Sequence, residues 1–495
     1  MKKRLILSIK EVMKRRLIWV LKVKVSTGTF NIETFIEEKI DMKRIISVSI
    51  LAIFFVGSLL QPVFADAEWK AKQDALMEKH GLKVGDVYDG SNVDNIKQLL
   101  PPAIVNWVKK DGWKIPIGEL SYDFGMDQRW FDKWEKANAG KFAVGDRGEV
   151  IEKATGTFPK KMQGLTYPLS DVDFNNPVKA GYQLLHNTFS TSSTTYNYKS
   201  AFCTNWVGEG GWERDYGGSL SYLYYTGPGS SKPNPNLYKN TSVIYMGFPF
   251  DIQGTVNMGW KYLDGSPSKG FVYIPSIRRV KRTSPANRSA PAMGSDFCND
   301  DAMGFTGDPE SMELKLIGQD DYLMSMAKRS AKNRINMIKN PDGSYSTPVG
   351  HAPITAGFLD MDNAPADVVP WALTNLVWIP RAGYQLEMNP KDPYYSYGRQ
   401  ILYMDQNSYA ISYKVVYDRS GQYWKTVMVN YTGKEIAGDI STKSTVYLVV
   451  DDKTHHSSIC PADGTFMGRD MPVIYDSSKI KSNMFNPQYI SGMSR

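Results

Sequence analysis

The chain has 495 residues, 42% of them hydrophobic and 22% charged, with a formal net charge of +8. That is enough chain for two or three modules and a large core. Residues 1–65 hold 12 Lys+Arg and 5 Asp+Glu, so 59 minus 12 and 51 minus 5 leave 47 cations against 46 anions in the rest. The remainder is near neutral, which excludes a polyanion-binding reading of the basic balance, and no nucleic-acid partner is expected.

Residues 1–41 fit two readings. Basic clusters at Lys2–Arg4 and Lys14–Arg16 beside an apolar stripe fit a membrane-surface helix. The purine-rich codons required by Glu37-Glu38, followed by Lys39, Ile40 and Asp41 as a short spacer, fit a translated ribosome-binding site better, so the start is expected at Met42 and 1–41 as a misannotated leader. Met42-Lys43-Arg44, the apolar run Ile45–Leu60 and the small-residue end Pro62–Ala67 then have the order of a secretory signal peptide over 42–65. Cleavage is expected after Ala65 or after Ala67. The run is shorter than the roughly 20 apolar residues of a spanning helix. No Cys stands at the junction, so no lipid-modified N-terminus is expected, and the protein is expected to be exported to the periplasm. Cys203, Cys298 and Cys460 would there permit one disulfide and leave one thiol over, with the pair open.

From 66 to 160 the pattern is helical. Glu68–His80 is amphipathic and ends at Gly81. Ser91 and Asp94 form a capping-box-like start for a helix with Val93, Ile96, Leu99 and Leu100 on one face. Pro101-Pro102 breaks it and opens a second helix through Trp107, and Asp127–Asn138 forms a third, stopped at Gly140. From 161 to 495 the chain reads as β-rich. Strands are expected at Leu220–Thr226, Ser242–Phe248, Phe271–Arg282, Glu313–Leu316, Leu376–Ile379, Gln400–Met404 and Val446–Val450. Tyr409–Tyr417 and Gln422–Asn430 form a hairpin about Asp418-Arg419-Ser420-Gly421, with Tyr413 and Val415 on one face and Ser412 and Lys414 on the other. Lys328–Pro341 is basic and helix-compatible, placed to cross or cap the sheet. The fold class is mainly β (α+β): a curved antiparallel sheet with N-terminal and covering helices.

The usual nucleophile, nucleotide-binding and metal signatures are absent from the sequence, so no catalytic residue, cofactor or metal is expected. His455-His456 with Cys460 reads as a polar loop after a strand in preference to a metal site. Asp360–Asn363 opens like a calcium loop but lacks that loop's Gly and final Glu, so it reads as a solvated turn.

Gly270–Asp301 is more informative. Phe271–Ile274 is apolar on both faces, and Arg278, Arg279, Lys281 and Arg282 then place cations on both faces, as at a rim. Met293–Phe297 supplies Asp296 as an acid for that rim. The segment fits an edge strand protected by charge or an anionic head-group site equally. Tyr273, Pro275, Arg278, Arg279, Val280 and Arg282 followed by Met293–Phe297 resemble the signature of the bacterial outer-membrane lipoprotein-sorting-like proteins, relatives of the LolA/LolB carriers. Arg399–Asp405 followed by Tyr409–Asp418, Gly421 and Lys425 is similar to a late hairpin of the same group. Leu99–Pro102, Tyr167–Leu169 and Tyr384 fit the pattern of an uncharacterised periplasmic family within it. The resemblance implies a half-barrel whose apolar concave face is covered by helices. It also implies a non-catalytic role with a lipid-like or other hydrophobic ligand, an RND-type exporter as partner, and an association with the outer membrane. Tyr273 and Ile277, on one face of a continuous strand, and Trp424 are expected to border the cavity, with Arg278, Arg279 and Arg282 at its mouth. Three function classes stay open: a hydrophobic-ligand carrier first, an accessory or scaffold protein of an envelope transporter second, and an enzyme third.

Overall fold

The computed structural model describes residues 68–191, 196–227, 232–351, 353–359, 367–436 and 438–493. The expected leader, the signal peptide and the Asp360–Asn363 turn lie outside them. The described residues belong to one compact unit, Ala65–Arg495.

Residues rich in Tyr, Val, Thr and Ser, with turns at short intervals, build one large curved, unclosed antiparallel sheet. Its first run is β1 (Tyr198–Gly208), β2 (Gly211–Tyr224), β3 (Tyr238–Phe248), β4 (Val256–Tyr262), β5 (Lys269–Ile274) and β6 (Arg279–Thr283). Its second is β7 (Met312–Gly318), β8 (Asp321–Ala327), β9 (Leu376–Pro390), β10 (Gln400–Asp405), β11 (Ile411–Tyr417), β12 (Tyr423–Ile436), β13 (Asp439–Asp451), β14 (His456–Pro461) and β15 (Val473–Tyr475). Strands β1 to β6 pair in sequence as a meander. The other edge of β1 is shared by β14, at Val207↔Ser457, and β15, at Ser200↔Val473. From β14 the sheet runs back through β13, β12, β11 and β10 to β9. The far side of β9 takes β8 along its first half and β7 along its second.

Four short helices matter for the site: α1 (68–79), α2 (Pro102–Lys110), α3 (Gln128–Asn138) and α4 (Pro177–Thr191). Asp127 caps α3 by accepting from the Trp130 N–H. Helix α2 turns Ala103, Ile104, Trp107 and Val108 into a core shared with Trp113, Trp371, Trp378 and Tyr413. Each such side chain contributes about 1.5–3 kcal/mol on burial. On the opposite face of the late strands, Leu184 and Leu185 of α4 pack with Leu386, Met388, Leu402 and Met404. A third core gathers Leu223, Val243, Val256, Met258 and Tyr273 under the C-terminal residues Ile480, Phe485 and Ile490.

The structure corrects four local expectations. Phe271–Arg282 is not one strand but a hairpin, with Val280 opposite Tyr273. Pro275, which has no N–H for the ladder, opens the 3-10 turn Pro275–Ile277, and Arg278 at φ 51° reverses the chain. The expected face shared by Tyr273 and Ile277 is lost with that turn. The 91–100 segment forms two 3-10 turns, Val93–Asn95 and Lys97–Leu99, because Asp89 engages both the N–H and the hydroxyl of Ser91 and keeps it from capping a helix. Helix is confined to Lys328–Lys332 in the basic stretch, which then extends so that Ile335 pairs in parallel with Lys434 of β12. Finally, α4 lies inside the part read as β. It opens with Pro at its first position but contains Gly181, His186, Asn187, Thr188, Ser190 and Thr191, and it is buried almost all round. No polar stripe marks it in the sequence.

Candidate ligand-binding chamber

The motif segment Pro285–Ser311 crosses the sheet face that carries Lys414 and Val427. It is pinned there by buried charge. Lys414 Nζ lies 2.6 Å from Asp301 Oδ1, with both side chains 0% exposed, and donates to the Asp300 carbonyl at 2.9 Å. Tyr397 donates to Asp301 and Tyr395 to Asp300, each at 2.9 Å, and the Cys298 N–H donates to Asp301 at 2.8 Å. Arg288 reaches Asp300 at 2.5 Å. Burial alone raises the Asp301 carboxyl, but Lys414 and Lys425 outweigh it and hold the group below its ordinary range. The opposite charges of this cluster pair with one another, which locks the segment in place.

Beyond that lock lies an aromatic and cationic cluster. Ladder register puts Tyr198 of β1 beside Tyr222 of β2 and Tyr475 of β15. Tyr198 and Tyr222 stack at 5.1 Å, and Tyr222 and Tyr224 at 5.9 Å. Lys434 Nζ sits 4.0 Å over Tyr475, and Lys443 Nζ 5.6 Å over Tyr198. Tyr198 and Tyr222 keep part of their surface accessible, yet burial pushes both phenols up. At the α4 end, the Lys261 ammonium is pushed down to about 7 by burial and by neighbouring Arg288. Burial likewise lowers Lys239 and raises Glu310 to about 7. His186 is driven down to about 3 by burial, so its neutral ring donates from Nε2 to the Gly148 carbonyl at 2.7 Å. Such clustering of perturbed groups marks a candidate site.

The residues singled out in the sequence fall into four places. Tyr273 packs in the core under the C-terminal residues Ile480, Phe485 and Ile490, and Ile277, Arg278, Arg279 and Arg282 are exposed on the β5–β6 hairpin. Asp296 accepts from His456 Nδ1 at 2.7 Å and from Ser458 at 2.9 Å. Trp424 donates to Asp451 at 2.6 Å and meets Tyr397 edge-on. His456 and His455 thus sit among carboxylates, the latter between Glu209 and Asp111. The three cysteines are buried free thiols. Among the described residues no cluster suits a metal ion and no helix is long and apolar enough to cross a membrane. Lys239, Lys261, Phe189 and Tyr222 were not singled out; the available signal was lysine inside apolar strand patterns, where a cation is out of place.

Residues 87–491 match the model of the DUF1329 family, described as a protein of unknown function. No curated protein matches. Among solved structures, a putative outer membrane lipoprotein-sorting protein domain from Vibrio parahaemolyticus is 15% identical, with 63% of this chain and 99% of that one covered at a TM-score of 0.40. A DUF1329 family protein from Desulfovibrio piger is 17% identical, with 64% and 99% covered at 0.41. A LolA superfamily protein from Nitrosomonas europaea is 13% identical, with 62% and 98% covered at 0.37. These likenesses carry no residue-by-residue correspondence.

Proposed function

The chain belongs to the DUF1329 family, and we propose that it is a periplasmic, non-catalytic protein that binds or carries a lipid or other hydrophobic ligand at the aromatic and cationic cluster between α4 and the sheet. The observation that carries this reading is the tyrosine stack: Tyr198 and Tyr222 are part-accessible rings stacked 5.1 Å apart on adjacent strands. Hiding an acyl chain from water gains about 0.8 kcal/mol per CH₂, and a lining of rings offers that refuge without fixed geometry. An RND-type exporter as partner and an association with the outer membrane belong to the same proposal.

A second reading, an accessory or scaffold protein without its own ligand, draws support from the β5–β6 hairpin. Arg278, Arg279, Lys281 and Arg282 are exposed there beside Ile277, which is 43% exposed, a surface suited to an anionic membrane or an acidic partner. Native mass spectrometry of the exported protein purified from a membrane-containing lysate separates the two. The carrier reading expects an adduct of lipid-like mass that leaves on denaturation. A bare protein mass, together with no saturable binding of a fluorescent amphiphile, favours the scaffold.

A further inference from the structure

Between the last turn of α4 and β3 lies a small, partly open cleft of about 20 Å³, bordered by Met162, His186, Phe189, Thr226 and Lys239. Two local irregularities aim side chains into it. From Ala180 to Thr191 every residue of α4 is buried except Phe189, which keeps an accessible ring. Lys239 is the extra residue of a bulge, since the β3–β4 ladder passes from Tyr238↔Tyr262 directly to Asn240↔Lys261. A bulge re-aims the side chain it carries. The result places Lys239 Nζ 4.1 Å from the Phe189 ring, with Lys261 Nζ 5.9 Å from the same ring.

Three cations stand here with unequal partners. Arg288 pairs with Asp300. Lys261 donates to the carbonyls of Thr306 and Gly307 and lies 3.9 Å from Asp308. Lys239 makes no ion pair among the described residues; its neighbouring acids Glu310 and Asp308 act on it only through space. Glu310 is a poor counter-ion, because burial works against its charged form. A cation next to an accessible aromatic ring, in a cleft with no anion of its own, is matched by a ligand that is negative at one end and apolar beyond it. The ladder partner of Asn240, next along β3, is Tyr224, which stacks on the part-accessible Tyr222 and so joins the cleft to the tyrosine stack.

We propose that this cleft binds the anionic group, carboxylate or phosphate, of an amphiphile, with Lys239 as its counter-charge and Phe189 and Met162 as the first contacts of its tail. The proposal rests on the carrier reading and names the class of ligand. It is tested on the full exported chain by titrating cis-parinaric acid, its methyl ester, and inorganic phosphate as competitor. The acid is expected to bind about tenfold more tightly than the ester, the worth of one charge-assisted contact. Lys239→Met should bring the acid down to the ester's affinity and leave the ester unchanged, Lys239→Arg should keep the preference, and thermal unfolding should show both variants folded. Excess phosphate should leave the acid bound. Equal affinity of acid and ester in the wild type, or a preference that survives Lys239→Met, overturns the assignment while the carrier reading stands. Displacement by phosphate alone overturns the amphiphile in favour of a bare-anion site. Binding of neither acid nor ester overturns the carrier reading as well.

Discussion

Asp301 and Lys414 face each other at full burial, so each is tolerable only because of the other. Asp301→Ala leaves an ammonium stranded and should cost about 3–5 kcal/mol in chemical denaturation, whereas replacing both residues by apolar ones of similar volume should cost far less. His456 follows a different pH logic. The hydrogen bond to Asp296 raises its imidazole above the ordinary 6.5 against the opposing effect of burial. A group whose folded value is raised stabilises fully below its unfolded value, and that contribution is lost as pH rises through the folded value. Melting temperatures of wild type and His456→Gln should therefore differ most below pH 6.5 and converge above the folded value; a gap that widens with pH contradicts the pairing. Strand alternation already set Ser412 and Lys414 on the face opposite Tyr413. What the sequence lacked was burial, because Asp301, the partner that makes it tolerable, comes from a segment far earlier in the chain.

Helix α4 and the β5–β6 hairpin show where pattern reading stops. An amphipathic helix announces itself by its wet side, and α4 has almost none. Its contact with β7 is made backbone to backbone: a Cβ on Gly181 would lie 3.0 Å from the Lys315 nitrogen and 3.2 Å from the Leu314 carbonyl carbon. Gly181→Ala should therefore destabilise by about 1–2 kcal/mol despite the better helix propensity of Ala, since overpacking outweighs that gain. At the hairpin, Pro275 was visible in the sequence but the left-handed Arg278 was not, since a run of cations gives no turn signal. Arg278→Gly should be neutral or stabilising by up to about 1 kcal/mol in urea unfolding, and Arg278→Val should be the more destabilising of the two. Of the other strands, β1, β4, β8, β14 and β15 were not picked out in the sequence, whereas β3, β7 and β10 to β12 were legible in large part and β2, β9 and β13 in part. The legible strands run beyond the expected limits mainly where Gly or Lys interrupts the apolar pattern, as at Gly217-Gly218 in β2 and Lys434 in β12.

At the scale of the molecule, one curved sheet is lined differently along its length. Late strands are packed by tryptophans on one face and closed by the pinned motif segment on the other, while β1 and β2 carry stacked tyrosines with Tyr475 of β15 and lysines beside them. The first region is a core by its satisfied charges; the second is the candidate container. A photoactivatable diazirine fatty acid, cross-linked to the exported chain and mapped by peptide mass spectrometry, tests that division directly. Saturable labelling should fall on α4 and on β1 and β2, at peptides containing Phe189, Tyr198 and Tyr222. Labelling that does not saturate, or that falls only on outward apolar residues such as Phe250, which is 91% exposed, would contradict an interior ligand.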